Sequence, residues 1–194
     1  MKVRSVLICA AAASSLFLGA KELYPAGDFE GSTLAAPLSV RKFVANPKRI
    51  AAPAGTVTEK IQSEKALNGK QSLLLEAQEN GIHELNLHHV KIVPGKKYKF
   101  SVSYLVEEAA PKTLISARLL QLRTQGKGKY IFTNGKFVKG KVMQLASEFT
   151  AVDNAQSVSV TLWVNNGPYK VYIDDFKLTE IEGSAPTAAA PANK

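Results

Sequence analysis

The alternation of apolar and polar residues is the feature that most limits how this 194-residue sequence can fold. Apolar side chains occupy every second position over 98–104 and again over 158–164, with lysine, serine, threonine or Trp163 between them. Because successive side chains of a strand point to opposite faces of a sheet, this period predicts strands with one buried and one solvated face. The sequence shows no long amphipathic helical period. It therefore predicts an all-β protein with antiparallel sheets.

Turn-forming pairs separate several further strand candidates. Asn-Gly stands at 68–69, 80–81, 134–135 and 166–167, and Pro-Gly stands at 94–95. The candidate strands are 72–77, 83–93, 113–123, 130–133, 143–150 and 169–181. Segment 113–123 could be helical by composition, and we interpret it as a strand. Many short strands at this spacing predict an antiparallel β-sandwich of the jelly-roll type. Residues 34–58 contain three prolines and many alanines, and they are predicted to form a long surface loop or an irregular crossover.

The two ends of the sequence differ from the part between them. Residues 1–20 are predicted to be a cleavable signal peptide, because Lys2 and Arg4 precede an apolar run that ends in small residues. The only cysteine, Cys9, lies in this leader, which excludes disulfides and a cysteine nucleophile in the mature chain. We expect a secreted or periplasmic protein without a membrane span in the mature chain. Residues 21–182 are predicted to form one domain, and 183–194 a flexible Ala/Pro tail.

Four short segments occur in the order found in one family of jelly rolls. They read LYPAGDFEG over 23–31, NGKQSLLL over 68–75, VPGKKYKFS over 93–101 and VYIDDFKL over 171–178. Together they resemble carbohydrate-binding modules of the family 4/9/22 type, within the galactose-binding-like superfamily. The resemblance implies a jelly roll that binds polysaccharide on its concave sheet and has no catalytic activity. It also implies a structural calcium ion where the first and last strands meet.

Two carboxylates match the positions that such a calcium ion would use. Glu30 stands at the family's Phe-Glu position and Asp174 at its Ile-Asp position, so these two are the candidate metal ligands. Calcium takes six to eight oxygens and mixes carboxylates with backbone carbonyls. Alternatively, Asp174 caps the backbone near the end of its strand and Glu30 is a solvated or hydrogen-bonded edge residue.

The single tryptophan is the candidate for stacking on a sugar ring. By alternation, Trp163 shares a face with Thr161, opposite the valine and leucine face. Arg118, Gln121 and Arg123 on another candidate strand could supply hydrogen bonds to the same ligand. An indole offers a flat apolar surface to a pyranose ring. The alternative is that Trp163 covers an outer edge beneath the long loop.

Positive charge is concentrated in two acid-free stretches, 31–58 and 109–147. The formal charge is +9, and it is +7 without the leader. A basic hairpin over 127–141 is the candidate polyanion-binding surface, and its lysines are Lys127, Lys129, Lys136, Lys139 and Lys141. Such a surface would attract acidic polysaccharides, and nucleic acid is not expected for an exported chain. The alternative is that these lysines are solvated and serve solubility.

The other reactive side chains do not form a recognisable catalytic site. His83, His88 and His89 are close in sequence but have no fourth ligand at zinc spacing, so they are predicted to be exposed strand histidines. No nucleophile elbow or phosphate loop is present in the sequence. The prediction is an exported, monomeric, non-catalytic carbohydrate-binding module. The alternative is a structural or adhesive envelope protein that uses the same sandwich to contact proteins or surface polymers.

Overall fold

The computed structural model describes residues 20–24, 27–45 and 48–182. Nearly all of the predicted signal peptide and the whole predicted tail, 183–194, lie outside these residues. The described strands are β1 (Lys21–Glu22), β2 (Leu38–Ala45), β3 (Arg49–Ala51), β4 (Val57–Gln62), β5 (Ser72–Ala77), β6 (Gly81–Lys91), β7 (Lys97–Ala109), β8 (Leu114–Arg123), β9 (Lys129–Gly135), β10 (Val142–Thr150), β11 (Ala155–Asn165) and β12 (Tyr169–Ile181).

The strands form two antiparallel sheets packed face to face. Sheet A has the order β10-β7-β12-β5-β4, with β1 also paired to β12. Sheet B has the order β3-β2-β6-β11-β8-β9. This arrangement confirms the predicted β-sandwich of the jelly-roll type. Each predicted strand is present, and segment 113–123 is a strand over Leu114–Arg123 rather than a helix.

The core lies between the sheets and is built from the apolar half of each alternation. On β7, Tyr98 and Phe100 are at most 1% exposed, and Phe100 packs edge-on against Phe176 of β12 with ring centres 5.2 Å apart. On β11, the inward residues from Val158 to Val164 are fully buried. Burying these side chains contributes roughly 1.5–3 kcal/mol each to folding. The predicted faces of both alternating segments are therefore confirmed.

The prediction for residues 34–58 was wrong. They include strands β2 and β3 and the first residues of β4, and β2 pairs with β6 from Leu38–Leu87 to Val44–Gly81. Adjacent charged residues in the middle of β2 obscured its period. Both have acidic partners: Arg41 lies 3.4 Å from Glu84 of β6, and Lys42 lies 2.8 Å from Glu59 of β4. Ion pairing thus accommodates a sequence that does not alternate cleanly.

The prediction that residues 127–141 form a hairpin was also wrong. β9 pairs with β8 in sheet B, whereas β10 pairs with β7 in sheet A. The segment 136–141 therefore crosses from one sheet to the other. None of the described segments forms a helix that is long and apolar enough to cross a membrane.

Candidate functional site

A groove of about 450 Å³ crosses the outer face of sheet B. Paired residues of antiparallel strands place their side chains on the same face of the sheet. The strand pairing of sheet B therefore determines which side chains lie in a row across the groove. One row runs Arg41–Glu84–Trp163–Ser116 across β2, β6, β11 and β8. The next row runs Asn86–Thr161–Arg118–Phe132 and reaches β9. The groove is thus lined by polar and charged side chains together with one indole and the leucines Leu120 and Leu122.

Trp163 is held in the groove by a carboxylate. The half-buried indole donates from Nε1 to Oε1 of Glu84 at 2.7 Å. The Glu84 side chain is only 6% exposed, and it also forms ion pairs with Arg41 and Arg49. Trp163 lies on the polar face with Thr161 and Ser159, as alternation predicted. Among the described residues, the segment expected to form a long loop over Trp163 instead forms β2 and β3.

Thr161 and Arg118 also line the groove, as predicted for a shared site. Thr161 donates its hydroxyl to Oδ1 of Asn86 at 2.9 Å. The Arg118 guanidinium lies 4.9 Å from the centre of the Trp163 ring and 5.6 Å from that of Tyr130. The structure therefore brings three of the five predicted sugar-binding residues together.

The other two predicted sugar-binding residues lie elsewhere. Gln121 occupies an inward position of β8 and is fully buried, where its amide accepts from the Val152 N–H at 2.8 Å and donates to the Thr150 carbonyl at 3.3 Å. Arg123 ends the strand and donates from Nε to the Asp153 carbonyl at 3.1 Å. The sequence did not resolve which side chains of 113–123 share a face, and alternation places Gln121 opposite Arg118.

The positive charge of the groove comes from arginines rather than lysines. Arg41 and Arg49 belong to the first acid-free stretch and Arg118 to the second, so the two stretches do meet at one surface. Glu84 is the one carboxylate in the described lining. The five lysines of 127–141 are all exposed and do not line the groove.

The two predicted metal ligands both accept hydrogen bonds from backbone N–H groups of the turn over 68–71. Asp174 is fully buried, and its two oxygens accept from the backbone N–H groups of Asn68 at 2.8 Å and Asp175 at 2.7 Å. Burial raises the pKa of Asp174, while these N–H groups oppose the rise. Glu30 instead lines a pocket of about 220 Å³ and accepts from the Lys70 N–H at 2.7 Å. Asp174 therefore fits the capping alternative, since each of its oxygens accepts from a backbone N–H group.

An oxygen-rich position lies next to Glu30. The end of the Gln71 side chain is 3.0 Å from the carbonyl oxygen of Phe29 and 3.2 Å from those of Glu30 and Gly31. An amide nitrogen placed there donates to all three. If the amide oxygen lies there instead, it and the three carbonyl oxygens form a group of four acceptors without a donor. A bound cation would be needed to offset their mutual repulsion. In the described part of the chain, no cluster of three or more histidine, cysteine or acidic side chains could hold a metal.

The prediction for His83 was wrong, because this residue is fully buried rather than exposed. Its Nε2 donates to the Thr58 carbonyl at 2.9 Å, and its Nδ1 lies 2.8 Å from the Tyr169 hydroxyl. Burial lowers the pKa of His83 to about 4, and nearby Lys42 adds to the effect. A bulge between β6 and β11 changes the side-chain phase farther along β6, so His88 and His89 lie at the surface.

Sequence reasoning missed Glu84 and Asn86, and it identified Arg41 and Arg49 only as basic residues of the first acid-free stretch. A signal for the first two was present, because alternation through 83–93 places Glu84 and Asn86 on one face. Charge was the one signal for the two arginines, and it could not place them in the groove because their strands were assigned to a loop.

Comparison with known proteins identifies the architecture. The sequence matches no family model and no curated protein. A xylan-binding domain of family 22 from Paenibacillus barcinonensis superposes with a TM-score of 0.59 at 15% identity, over 84% of this chain and 97% of that one. A family 61 module, solved in complex with β-1,4-galactotriose, gives 0.55 at 16% identity, over 81% and 97%.

The chain has the fold of a carbohydrate-binding module. The same fold also occurs in other settings. A cyclase from Fischerella sp. TAU superposes with a TM-score of 0.59 at 16% identity, over 87% of this chain and all of that one. The enzymatically active domain of tailspike protein 4 from bacteriophage CBA120 gives 0.62 at 13% identity, over 82% of this chain. This chain spans 21% of that tailspike's length. At these identities the likeness shows the fold, and function must be argued from the site.

Proposed function

We propose that the chain is an exported, monomeric, non-catalytic module that binds an oligo- or polysaccharide in the groove of sheet B. The observation that carries the proposal is the position of Trp163, whose indole is fixed by Glu84 in an open polar groove. The carbohydrate-binding modules that share the fold support it. The predicted signal peptide supports export.

The groove offers the two kinds of contact that a sugar needs. The face of the Trp163 ring that Arg118 does not cover would offer an apolar surface to the C–H face of a pyranose, and fixing Nε1 removes rotamer freedom before the ligand arrives. Asn86 and Thr161 line the adjacent row, where both are nearly buried and the Thr161 hydroxyl donates to Asn86. Arg118, which has no acceptor within the described residues, would direct hydrogen bonds to ring hydroxyls.

The single carboxylate of the described lining supports a binding role rather than hydrolysis. Most glycoside hydrolases use two carboxyl groups flanking the bond they cleave. Glu84 is already engaged by Trp163, Arg41 and Arg49, which hold it as an acceptor. We therefore assign it a positioning role toward the indole.

The exposed lysines of 127–141 would favour acidic glycans in a general way. They lie outside the groove, and none of the five makes an ion pair within the described residues. Such charges raise the local concentration of a polyanion, and salt screens them over about 10 Å at 0.1 M.

The groove is tested by glycan binding of two Trp163 variants at low and high salt. Trp163→Ala is expected to weaken binding at least about tenfold, which corresponds to about 1.4 kcal/mol. Trp163→Phe keeps a flat ring without the Nε1 donor and should retain most of the affinity. Binding that is the same in all three proteins would contradict the site.

We also propose that a calcium ion stabilises the first turn, held by the carbonyls of Phe29, Glu30 and Gly31 with the Gln71 amide oxygen. This revises the predicted pair by replacing Asp174. Calcium should raise the melting temperature of the wild type and leave that of Gln71→Ala nearly unchanged. An identical melting temperature with chelator and with calcium would remove the metal from the proposal.

A second function is favoured by an exposed aromatic pair. Tyr130 and Phe132 on β9 are 52% and 68% exposed and stack with ring centres 6.1 Å apart. Such a pair suits a structural or adhesive protein that contacts another protein or a surface polymer. If Tyr130→Ala and Phe132→Ala abolish binding to cell envelopes while Trp163→Ala does not, this alternative replaces sugar binding.

A further inference from the structure

Arg118 differs from the other arginines of the described chain in having no polar partner. Arg41 and Arg49 form ion pairs with Glu84, and Arg123 donates to the Asp153 carbonyl. Arg118 makes no hydrogen bond or ion pair within the described residues, and its Nε is covered without an acceptor. A covered guanidinium donor without an acceptor is unusual, because buried polar groups are almost always hydrogen-bonded.

The surroundings of Arg118 hold its charge in place without neutralising it. Trp163 comes from β11 and Tyr130 from β9, the two strands that flank β8. Their rings lie 4.9 and 5.6 Å from the guanidinium carbon. Aromatic rings that contact the flat faces of a guanidinium hold it in place. The N–H groups around the edge of the guanidinium stay available for hydrogen bonds. Because Nε is covered, the two Nη atoms of Arg118 are the donors left for a ligand in the groove, and they have no acceptor within the described residues.

The charge balance of the groove identifies what is missing. Its described lining has three arginines and one carboxylate, and Glu84 serves Arg41 and Arg49. Two positive charges are therefore left uncompensated, and Arg118 is the one arginine of this lining without a carboxylate partner. A planar carboxylate can accept two parallel hydrogen bonds from one guanidinium, which a neutral hydroxyl cannot.

We propose that Arg118 recognises the carboxylate of a uronic acid residue, so that the groove is specific for oligouronides rather than for neutral glycans. The inference rests on the proposed sugar-binding function and adds its ligand class. The sugar that carries the carboxylate would lie against Trp163 or Tyr130, since these rings flank the guanidinium. The acidic specificity then resides inside the groove and not in the lysines of 127–141.

This recognition differs from polyanion attraction in two measurable ways. A uronide of a few sugar rings should already bind, because one carboxylate meets one guanidinium. A diffuse charged surface would instead need a long polyanion. Uronide binding should also survive high salt, because a hydrogen-bonded pair within a groove is screened less than exposed charges.

The test measures binding of a β-1,4-linked glucuronate trisaccharide and of cellotriose, which differ in a carboxylate or a hydroxymethyl on each ring. Calorimetry at low salt and at about 0.5 M salt uses the full mature chain. The wild type should prefer the uronide at both salt levels. Arg118→Gln should weaken uronide binding about tenfold or more, since hydrogen bonds to charged groups are the stronger ones.

Two matched variants separate this site from general charge. Arg123→Gln removes one arginine from the same strand outside the groove, and Lys139→Gln removes one charge from the lysines of 127–141. Both should keep the uronide affinity within about twofold, which corresponds to about 0.4 kcal/mol. Equal melting temperatures of the three variants establish that each is folded.

Each contrary result has one meaning. Equal affinity for cellotriose and the uronide, or equal losses in Arg118→Gln and Lys139→Gln, overturns the inference and leaves sugar binding intact. Binding of a sulfated trisaccharide but not of glucuronate, galacturonate or mannuronate trisaccharides overturns the choice of carboxylate. Failure to bind any glycan, charged or neutral, removes the proposed function and the inference together.

Discussion

His83 shows at the scale of a residue how a polar side chain connects the two sheets. It belongs to β6 of sheet B, yet its ring nitrogens contact the Thr58 carbonyl on β4 and the Tyr169 hydroxyl on β12, both in sheet A. Since a carbonyl can only accept, the neutral ring carries its proton on Nε2. These hydrogen bonds satisfy both ring nitrogens of His83, which would otherwise be buried polar atoms without partners.

The stability of the protein should depend on pH through His83. Burial lowers its pKa from 6.5 to about 4, so the unfolded state binds more protons between these values. The His83 contribution is present above pH 6.5 and is lost as the pH falls towards 4. It amounts to roughly 3 kcal/mol at most, from 1.36 kcal/mol per pKa unit.

Urea unfolding at several pH values measures this effect. The free energy of unfolding should decline from pH 6.5 to 4 in the wild type and decline less in His83→Gln, whose amide can still donate to Thr58. The assignment to His83 would be contradicted by parallel declines in the two proteins.

Asp174 is the second buried polar residue with a defined structural role. Asp174→Asn replaces one acceptor oxygen by a donor that faces a backbone N–H of Asn68 or Asp175. We expect a loss of about 1–3 kcal/mol in the free energy of unfolding. Asp153→Asn, at an exposed position, serves as the control and should change stability by less than about 0.5 kcal/mol. Little loss in Asp174→Asn would mean that the carboxylate is not a cap.

At the scale of an element, β12 is fixed to the first turn of the domain at its bulge. The register with β7 shifts between Asp174 and Lys177, and Phe176 donates its N–H to the Gly27 carbonyl at 2.8 Å. A Cβ on Gly27 would lie 1.8 Å from the Phe176 carbonyl oxygen. Only glycine allows this approach, which places Phe176 in the core.

Gly27→Ala should therefore destabilise the protein by about 1–3 kcal/mol, as overpacked sites do. For a chain of this size, that shifts the melting temperature by roughly 2–4 °C per kcal/mol. Gly31→Ala is the matched control, because its added Cβ would be 3.5 Å from the nearest atom. Equal melting temperatures of the two variants would show that the turn adapts.

The elements that the sequence predicted well are those with one solvated face. β7 and β11 alternate because their outer side chains are wet, and the strand over 169–181 matched its predicted bounds. The sequence did not predict β2, because its charged residues Arg41 and Lys42 are consecutive. Each pairs with an acidic residue of a different sheet. Such pairing depends on tertiary neighbours, which no local pattern contains.

The candidate site was only partly predictable for the same reason. Trp163 and Thr161 follow from the alternation of one strand. Arg118 could be named but not oriented, because the phase of 113–123 was undecided between its two faces. The ion pairs around Glu84 join β2, β3 and β6, so they require the topology of sheet B.

At the scale of the whole molecule, charge is divided between a groove of arginines and an outer group of lysines. We expect the triple variant Lys136→Gln, Lys139→Gln and Lys141→Gln to elute from a heparin column at lower salt than the wild type. The control replaces three exposed lysines outside that segment, at Lys60, Lys70 and Lys91. Equal shifts in the two triple variants would mean that net charge, not its location, governs retention.

The pairing of β1 with β12 brings the two ends of the described domain together. Lys21 lies opposite Glu180 and Glu22 opposite Thr179, in the sheet that does not carry the groove. A surface or fusion partner attached at either end would therefore be joined through sheet A and would leave the groove of sheet B free. Immobilised by one end or the other, the domain would present its groove in the same orientation.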